Sequence, residues 1–202
     1  MRRYDCLKLL VPKVSADTLV VCNLQDTTYE WQHLRPSDGN LLRQGLANVT
    51  PVALGLALAL PHRRVISLDG DGSVLLGLGI LSTLGRYAAP NLMVIVFDNE
   101  NYNSGGVMPS ATAYGTDLAM MAQGGGVKSA QTVRDLAAFD RATSEVLASN
   151  ELGFIVAKVD RTPEPVPRPR IDGKENKYRF VRFVEALEGK PIFLADEQKS
   201  FS

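Results

Sequence analysis

The stretch from Val65 to Ser73 constrains what this chain can fold into more than any other. Residues 65–68 (Val-Ile-Ser-Leu) form a short, mostly apolar run of strand character, and the chain then breaks on Gly70 and Gly72 with Asp71 between them. Ser73 follows, and residues 74–84 are an apolar run that reads as a buried helix. A strand that ends in a glycine-rich turn and opens a helix offers free backbone N–H groups and the positive end of a helix dipole, which together suit a phosphate. A carboxylate inside such a turn would repel a bare phosphate. Asp71 therefore points to a divalent cation held between the carboxylate and a pyrophosphate.

The next strand is clear. Residues 92–97 (Leu-Met-Val-Ile-Val-Phe) are apolar with a β-branched centre, and Asp98-Asn99-Glu100-Asn101-Tyr102 follows. A right-handed crossover would make the two strands parallel within one sheet. Asp71 and Asn99 then project from its carboxyl edge, where open α/β sheets bind ligands. Two oxygen ligands from neighbouring strand ends suit Mg²⁺, which takes octahedral oxygen coordination and keeps water and phosphate in its shell. Gly-Asp-Gly alone is a common turn. It is not a dinucleotide fingerprint either, because Leu75 stands where a third glycine would be needed. The succession of strand, turn, helix, strand and Asn is the specific signal.

Gly70-Asp71-Gly72-Ser73 followed by Asn99 resembles the metal–diphosphate motif of thiamine-diphosphate enzymes, in which a GDG precedes an Asn by just under thirty residues. The resemblance implies that Asp71 and the Asn99 side chain bind the metal and that the backbone carbonyl of Asn101 completes the protein ligands. It implies that Gly72 and Ser73 face the diphosphate, with Gly70 and Tyr102 beside them in the cofactor site. Two positions depart from the usual pattern: Asp98 stands where many members have Asn, and Asn101 where many have Gly or Thr. The second matters little where only a carbonyl is used.

The remaining chain alternates strands with helices. Residues 4–14 read as a helix and 19–22 as a first strand running into the polar segment 23–28. In the resembling family this segment helps hold the diphosphate, which makes Gln25, Thr27 and Thr28 candidates; a solvated loop with helix-capping threonines is the alternative. His33, beside Trp31, reads as a packed or surface residue. Residues 35–43 are polar and turn-rich. Residues 52–60 form an almost wholly apolar helix with Pro51 in its first turn and Pro61 ending it. Leu46 falls where the family carries an apolar residue that wedges under the cofactor, although plain core packing fits it equally; Ala47 stands where many relatives have Gly. Residues 102–109 form a loop with Gly105 and Gly106 in tandem. A helix capped by Thr116 is expected over 117–123, a strand over 126–130, a helix after the Thr132-x-x-Asp135 pattern to about Ser149, and a last core strand over 154–159. The fold class is therefore α/β: a mostly parallel sheet with helices on both faces, plus a C-terminal linker and helix.

Three segments are expected: a cofactor-binding domain over 1–160, a linker over 161–173 and a helix with tail over 174–202. Pro163, Pro165, Pro167 and Pro169 exclude a helix or central strand from the linker. Phe180, Phe183, Val184 and Leu187 form one helical stripe, expected to dock on its own domain or on a partner. Lys plus Arg and Asp plus Glu both number 22, so no basic field favours nucleic acid. No apolar segment reads as a membrane span, and the first residues carry charge without a signal core. Cys6 and Cys22 form no metal or disulfide pattern, so a cytoplasmic protein is expected.

At 202 residues the chain has room for the diphosphate-binding domain and none for a second domain of similar size. In the resembling family a separate pyrimidine-binding domain supplies a glutamate that contacts the cofactor. The catalytic glutamate is therefore expected on a pyrimidine-domain α subunit, in a hetero-oligomer of the α2β2 type or larger. The segments Leu68 to Ser73, Asp98 to Tyr102 and Thr50 to Leu58 are most similar to β subunits of the two-chain sulfopyruvate and phosphonopyruvate decarboxylase group. That likeness implies a thiamine-diphosphate- and Mg²⁺-dependent decarboxylase of a small 2-oxo acid. A carboligase or synthase subunit with the same cofactor, and a non-catalytic module that kept the fold, are the alternatives.

Overall fold

The computed structural model describes residues 1–103 and 107–192. Its centre is a six-stranded sheet in the order β2-β1-β3-β4-β8-β7, with every neighbouring pair parallel. The strands are β1 (Leu19–Asn23), β2 (Asn40–Gln44), β3 (Val65–Gly70), β4 (Leu92–Asp98), β7 (Ser129–Val133) and β8 (Gly153–Lys158). All seven residues of β4 are buried, as expected of a strand covered on both faces. β5 (Asn101–Tyr102) and β6 (Met108–Pro109) make a small antiparallel hairpin beyond β4.

Alternation along the strands sorts the core into two layers. On one face Leu19, Val21, Val65, Val94, Val96 and Phe154 pack under α3 (Val49–Ala59), α5 (Gly79–Tyr87), α6 (Leu118–Gly124) and α8 (Gly173–Glu188). On the other, Val20, Cys22, Ile66, Leu68, Ile95 and Ile155 pack under α1 (Arg3–Leu10), α2 (Asp26–Leu34) and α7 (Leu136–Ala148). Burial pushes the Cys6 thiol up to about 12 and raises that of Cys22 as well. Among the described residues no helix is long and apolar enough to cross a membrane.

Several boundaries differ from the sequence reading. The helix expected over 74–84 is two helices, α4 (Asp71–Leu76) and α5. The break is Gly77, where a Cβ would lie 3.0 Å from that of Ala47. The segment 35–43, read as turns, contains the start of β2; an edge strand with mixed exposure lacks a clean apolar signal. Asp117, not Thr116, caps α6, accepting from the N–H groups of Ala119 and Met120. The strand expected over 126–130 lies three residues later, at Ser129–Val133. Part of the loop read over 102–109 is the β5–β6 hairpin; Ser104, Gly105 and Gly106 lie outside the described residues, as does the tail beyond 192.

α8 lies against its own chain, with Phe180 and Val184 buried in the core. The Asn176 side chain donates to the carbonyl of Asn40 (2.9 Å) and accepts from the N–H of Leu42 (2.8 Å), occupying the open edge of β2. Its far end is clasped by Arg63, which donates to Glu188 (2.8 Å) and to the carbonyl of Leu187 (2.7 Å). The proline-rich segment before it is tied down along its length. Arg161 donates to the carbonyl of Asn99, the N–H of Glu164 to Glu30, and Arg168 to Asp26.

Candidate cofactor site

The chain leaves β1 into α2 on one face of the sheet and leaves β3 into α4 and α5 on the other. A crevice opens between such diverging strand ends. The cleft found there takes its walls from three carboxyl-end segments: Asn23 to Thr27 after β1, Gly70 to Ser73 after β3, and Asn99, Asn101, Tyr102 and Asn103 after β4. Leu46, Phe97 and Arg3 complete it. Of the residues singled out from sequence, Gln25, Thr27, Leu46, Gly70, Asp71, Gly72, Ser73, Asn99, Asn101 and Tyr102 line this one cleft. Thr28 does not. It is fully buried, and its hydroxyl donates to the carbonyl of Asn23 and accepts from the N–H of Arg43, so it ties β1 to β2 instead.

Asp71 is the first residue of α4 and is 2 % exposed. Its Oδ2 accepts from Ser110 and, at 3.3 Å, from Thr112; Thr112 also donates to Asp98 at 2.7 Å. Burial pushes the Asp71 carboxyl above its usual range and nearby Asp98 adds to this, while the Ser110 hydrogen bond opposes it. Asp98 is bridged by Lys158 at 2.8 Å, which also bridges Glu100. Burial lowers the Lys158 pKa, but the two carboxylates together outweigh it and hold the amine above its ordinary value.

Asn99 accepts from the N–H of Asn101 at 3.1 Å, which curls the chain after β4. The Asn101 amide donates to Asn103, but its Oδ1 is buried without any hydrogen-bond partner. A buried oxygen left unpaired is costly, and Asn101 lines the cleft beside a buried carboxylate. No group of three His, Cys, Asp or Glu side chains that could hold a metal occurs among the described residues. A cation in the cleft would therefore rely on amide, carbonyl and ligand oxygens around one carboxylate, a donor set that fits Mg²⁺ and not zinc. Gly72 lies under Tyr102, whose ring carbon would be 2.5 Å from any Cβ at position 72. Three non-glycine residues at or beside the cleft have positive φ: Gln25 (φ 60°, ψ −131°), Ala47 (φ 65°) next to Leu46, and Glu100 (φ 59°) between Asn99 and Asn101. Such conformations cost on the order of 1–3 kcal/mol each and concentrate at functional sites.

The sequence reading passed over several residues. Asn23, in the polar segment at the end of β1, lines the cleft although its residue type carries no signal of its own. Arg3 reaches the cleft from α1, fixed by Glu30 through two hydrogen bonds of 2.8 and 2.9 Å. Glu30 is fully buried, and no local pattern links positions so far apart. Asp69 sits inside the motif itself, and only its place among apolar residues hinted that it is buried.

An open parallel sheet whose switch-point crevice is built on a Gly-Asp-Gly turn defines an α/β cofactor-binding domain of diphosphate-recognising type. Residues 41–157 match the model of the thiamine pyrophosphate enzyme C-terminal TPP binding domain, and the chain belongs to that family. It is 29% identical to the sulfopyruvate decarboxylase subunit beta of Methanocaldococcus jannaschii, covering 91% of this chain and 97% of that one. It is 33% identical to the same subunit of Methanothermobacter thermautotrophicus, over 85% and 89%. It is 29% identical to phosphonopyruvate decarboxylase of Streptomyces viridochromogenes, over 90% of this chain but 46% of that protein. Among solved structures, the thiamine diphosphate-dependent 4-hydroxybenzoylformate decarboxylase of Rhodococcus jostii superposes with a TM-score of 0.65 at 22% identity, covering 81% of this chain and 33% of that one. This structural likeness speaks for the fold.

Proposed function

We propose that the chain is the diphosphate-binding β subunit of a thiamine-diphosphate- and Mg²⁺-dependent decarboxylase acting on a small 2-oxo acid of the sulfopyruvate or phosphonopyruvate kind. The observation that carries this is the single cleft that brings Asp71, Asn99 and Asn101 together at neighbouring strand ends. In this reading Asp71, the Asn99 side chain and the Asn101 carbonyl hold Mg²⁺. Gly72 and Ser73 face the diphosphate, and Leu46 gives the cofactor an apolar contact. Arg3 places a cation at the rim, held by Glu30 where an anionic substrate group could meet it. Bound thiamine diphosphate supplies the electron sink for the carbon–carbon bond that breaks as CO₂ leaves.

The coverage of relatives supports a two-chain enzyme. The chain spans nearly all of two sulfopyruvate decarboxylase β subunits but under half of a phosphonopyruvate decarboxylase. The other half, a pyrimidine-binding domain with its glutamate, comes here from an α subunit. A cytoplasmic setting accords with two buried, unpaired thiols.

The test is reconstitution. The isolated chain should release no CO₂, and adding the pyrimidine-domain partner, thiamine diphosphate and Mg²⁺ should produce CO₂ and an aldehyde from a 2-oxo acid. A pair that binds cofactor yet decarboxylates no 2-oxo acid overturns the reaction assigned. A carboligase is the second reading, favoured by 33% identity to an acetolactate synthase large subunit over 44% of this chain. A product with a new carbon–carbon bond in place of the aldehyde would select it.

A further inference from the structure

Asp69 is 1 % exposed and does not line the cleft, yet its carboxylate joins the segments that build it. Oδ1 accepts from the N–H of Gly70 at 2.9 Å and from the Asn23 amide at 3.3 Å. Oδ2 accepts from the hydroxyl and the N–H of Thr50, at 2.7 and 3.3 Å. In the same turn the Ser73 hydroxyl accepts the N–H of Ala47 at 3.0 Å. The partners of Asp69 belong to the end of β1, the start of α3 and the turn that opens at Gly70. No ion pair to a Lys or Arg is formed by Asp69 among the described residues. Salt-bridge stability is thus not its role; hydrogen-bond geometry is.

We infer that Asp69 is a positioning residue: its two oxygens lock the turn that receives the diphosphate to β1 and α3. This rests on the cofactor reading given above. A carboxylate suits the position because most of its partners are fixed donors: two backbone N–H groups and an amide NH₂. Asn has one acceptor oxygen, so its NH₂ must face donors on one side and break the lock while preserving shape.

The experiment uses the reconstituted pair with Mg²⁺, comparing wild type, Asp69→Asn, Thr50→Val and Thr50→Ser. It reads thiamine-diphosphate affinity by calorimetry and the thermal midpoint without cofactor. Positioning predicts an affinity loss of about tenfold or more for Asp69→Asn, as for residues that orient ligands from behind. A smaller loss is expected for Thr50→Val, and wild-type affinity for Thr50→Ser, which keeps the hydroxyl. A purely structural role would lower the cofactor-free midpoint and leave the affinity of the folded protein unchanged; that result overturns the inference. Should Asp69→Asn not fold, Thr50→Val against Thr50→Ser decides it, equal affinities refuting the lock. If the wild-type pair binds no thiamine diphosphate, the cofactor reading itself falls and this inference with it; if wild type binds and the variants bind equally, only the inference falls.

Discussion

Ala47 holds a backbone conformation that costs a side-chain-bearing residue on the order of 1–2 kcal/mol, and glycine adopts it freely. Ala47→Gly should therefore stabilise the cofactor-free chain by about 0.5–1 kcal/mol after glycine's greater loss of chain entropy. A scanning calorimeter should register this as a rise of roughly 2–4 °C per kcal/mol; a fall would show that the Ala47 methyl contributes packing that outweighs the strain. Gly72 presents the opposite case. A methyl there must push Tyr102 aside, so Gly72→Ala should cost about 1–3 kcal/mol. Adding Tyr102→Ala should return part of that cost, and strict additivity in the double-mutant cycle would refute the contact. At this scale the sequence named most residues of the cleft, because the Gly-Asp-Gly-Ser turn and Asn99 carry their chemistry in residue type. Thr28 went astray because only coordinates show a hydroxyl already engaged by Asn23 and Arg43. Arg3 stayed hidden because its bond to Glu30 depends on how α1 packs against α2.

The elements most legible in sequence were those buried on both faces. β4 and β8 read as apolar runs, and β3 mostly so, because helices cover the sheet there on both faces. β2 escaped because it is an edge strand whose exposed positions carry polar residues, and the division between α4 and α5 because it depends on the close approach of Gly77 to Ala47. α8 was readable as an amphipathic stripe, but not the surface it would meet. That docking is electrostatically pinned at one end. Arg63 and His62 hold the Glu188 carboxyl below its ordinary 4.5. A depressed carboxylate gives stability that is complete above the unfolded value and is lost as pH falls through the lower folded one. Hydrogen exchange over α8 should thus be faster in Glu188→Gln than in wild type at neutral pH, and the difference should fade as the pH falls below 4.5 and on through the lower folded value. A difference unchanged by acid would mean that Glu188 acts without its charge.

For the molecule as a whole, α8 and the segment before it are part of the fold's integrity. The segment is tied at Asn99, Glu30 and Asp26, and the helix fills the rim of β2 through Asn176. A chain ending at residue 172 should lose the side-chain amide that stands in for a neighbouring strand and expose Leu41 and the inner face of β2. Sedimentation should then show concentration-dependent large species absent from the full chain; a well-behaved truncated form would show that β2 needs no cover. The hold of Asn176 on the carbonyl of Asn40 and the N–H of Leu42 also bears on how this polypeptide joins another. A companion strand seeking those two groups would first have to displace Asn176, so strand addition on the β2 side carries a cost that docking on a helical surface does not.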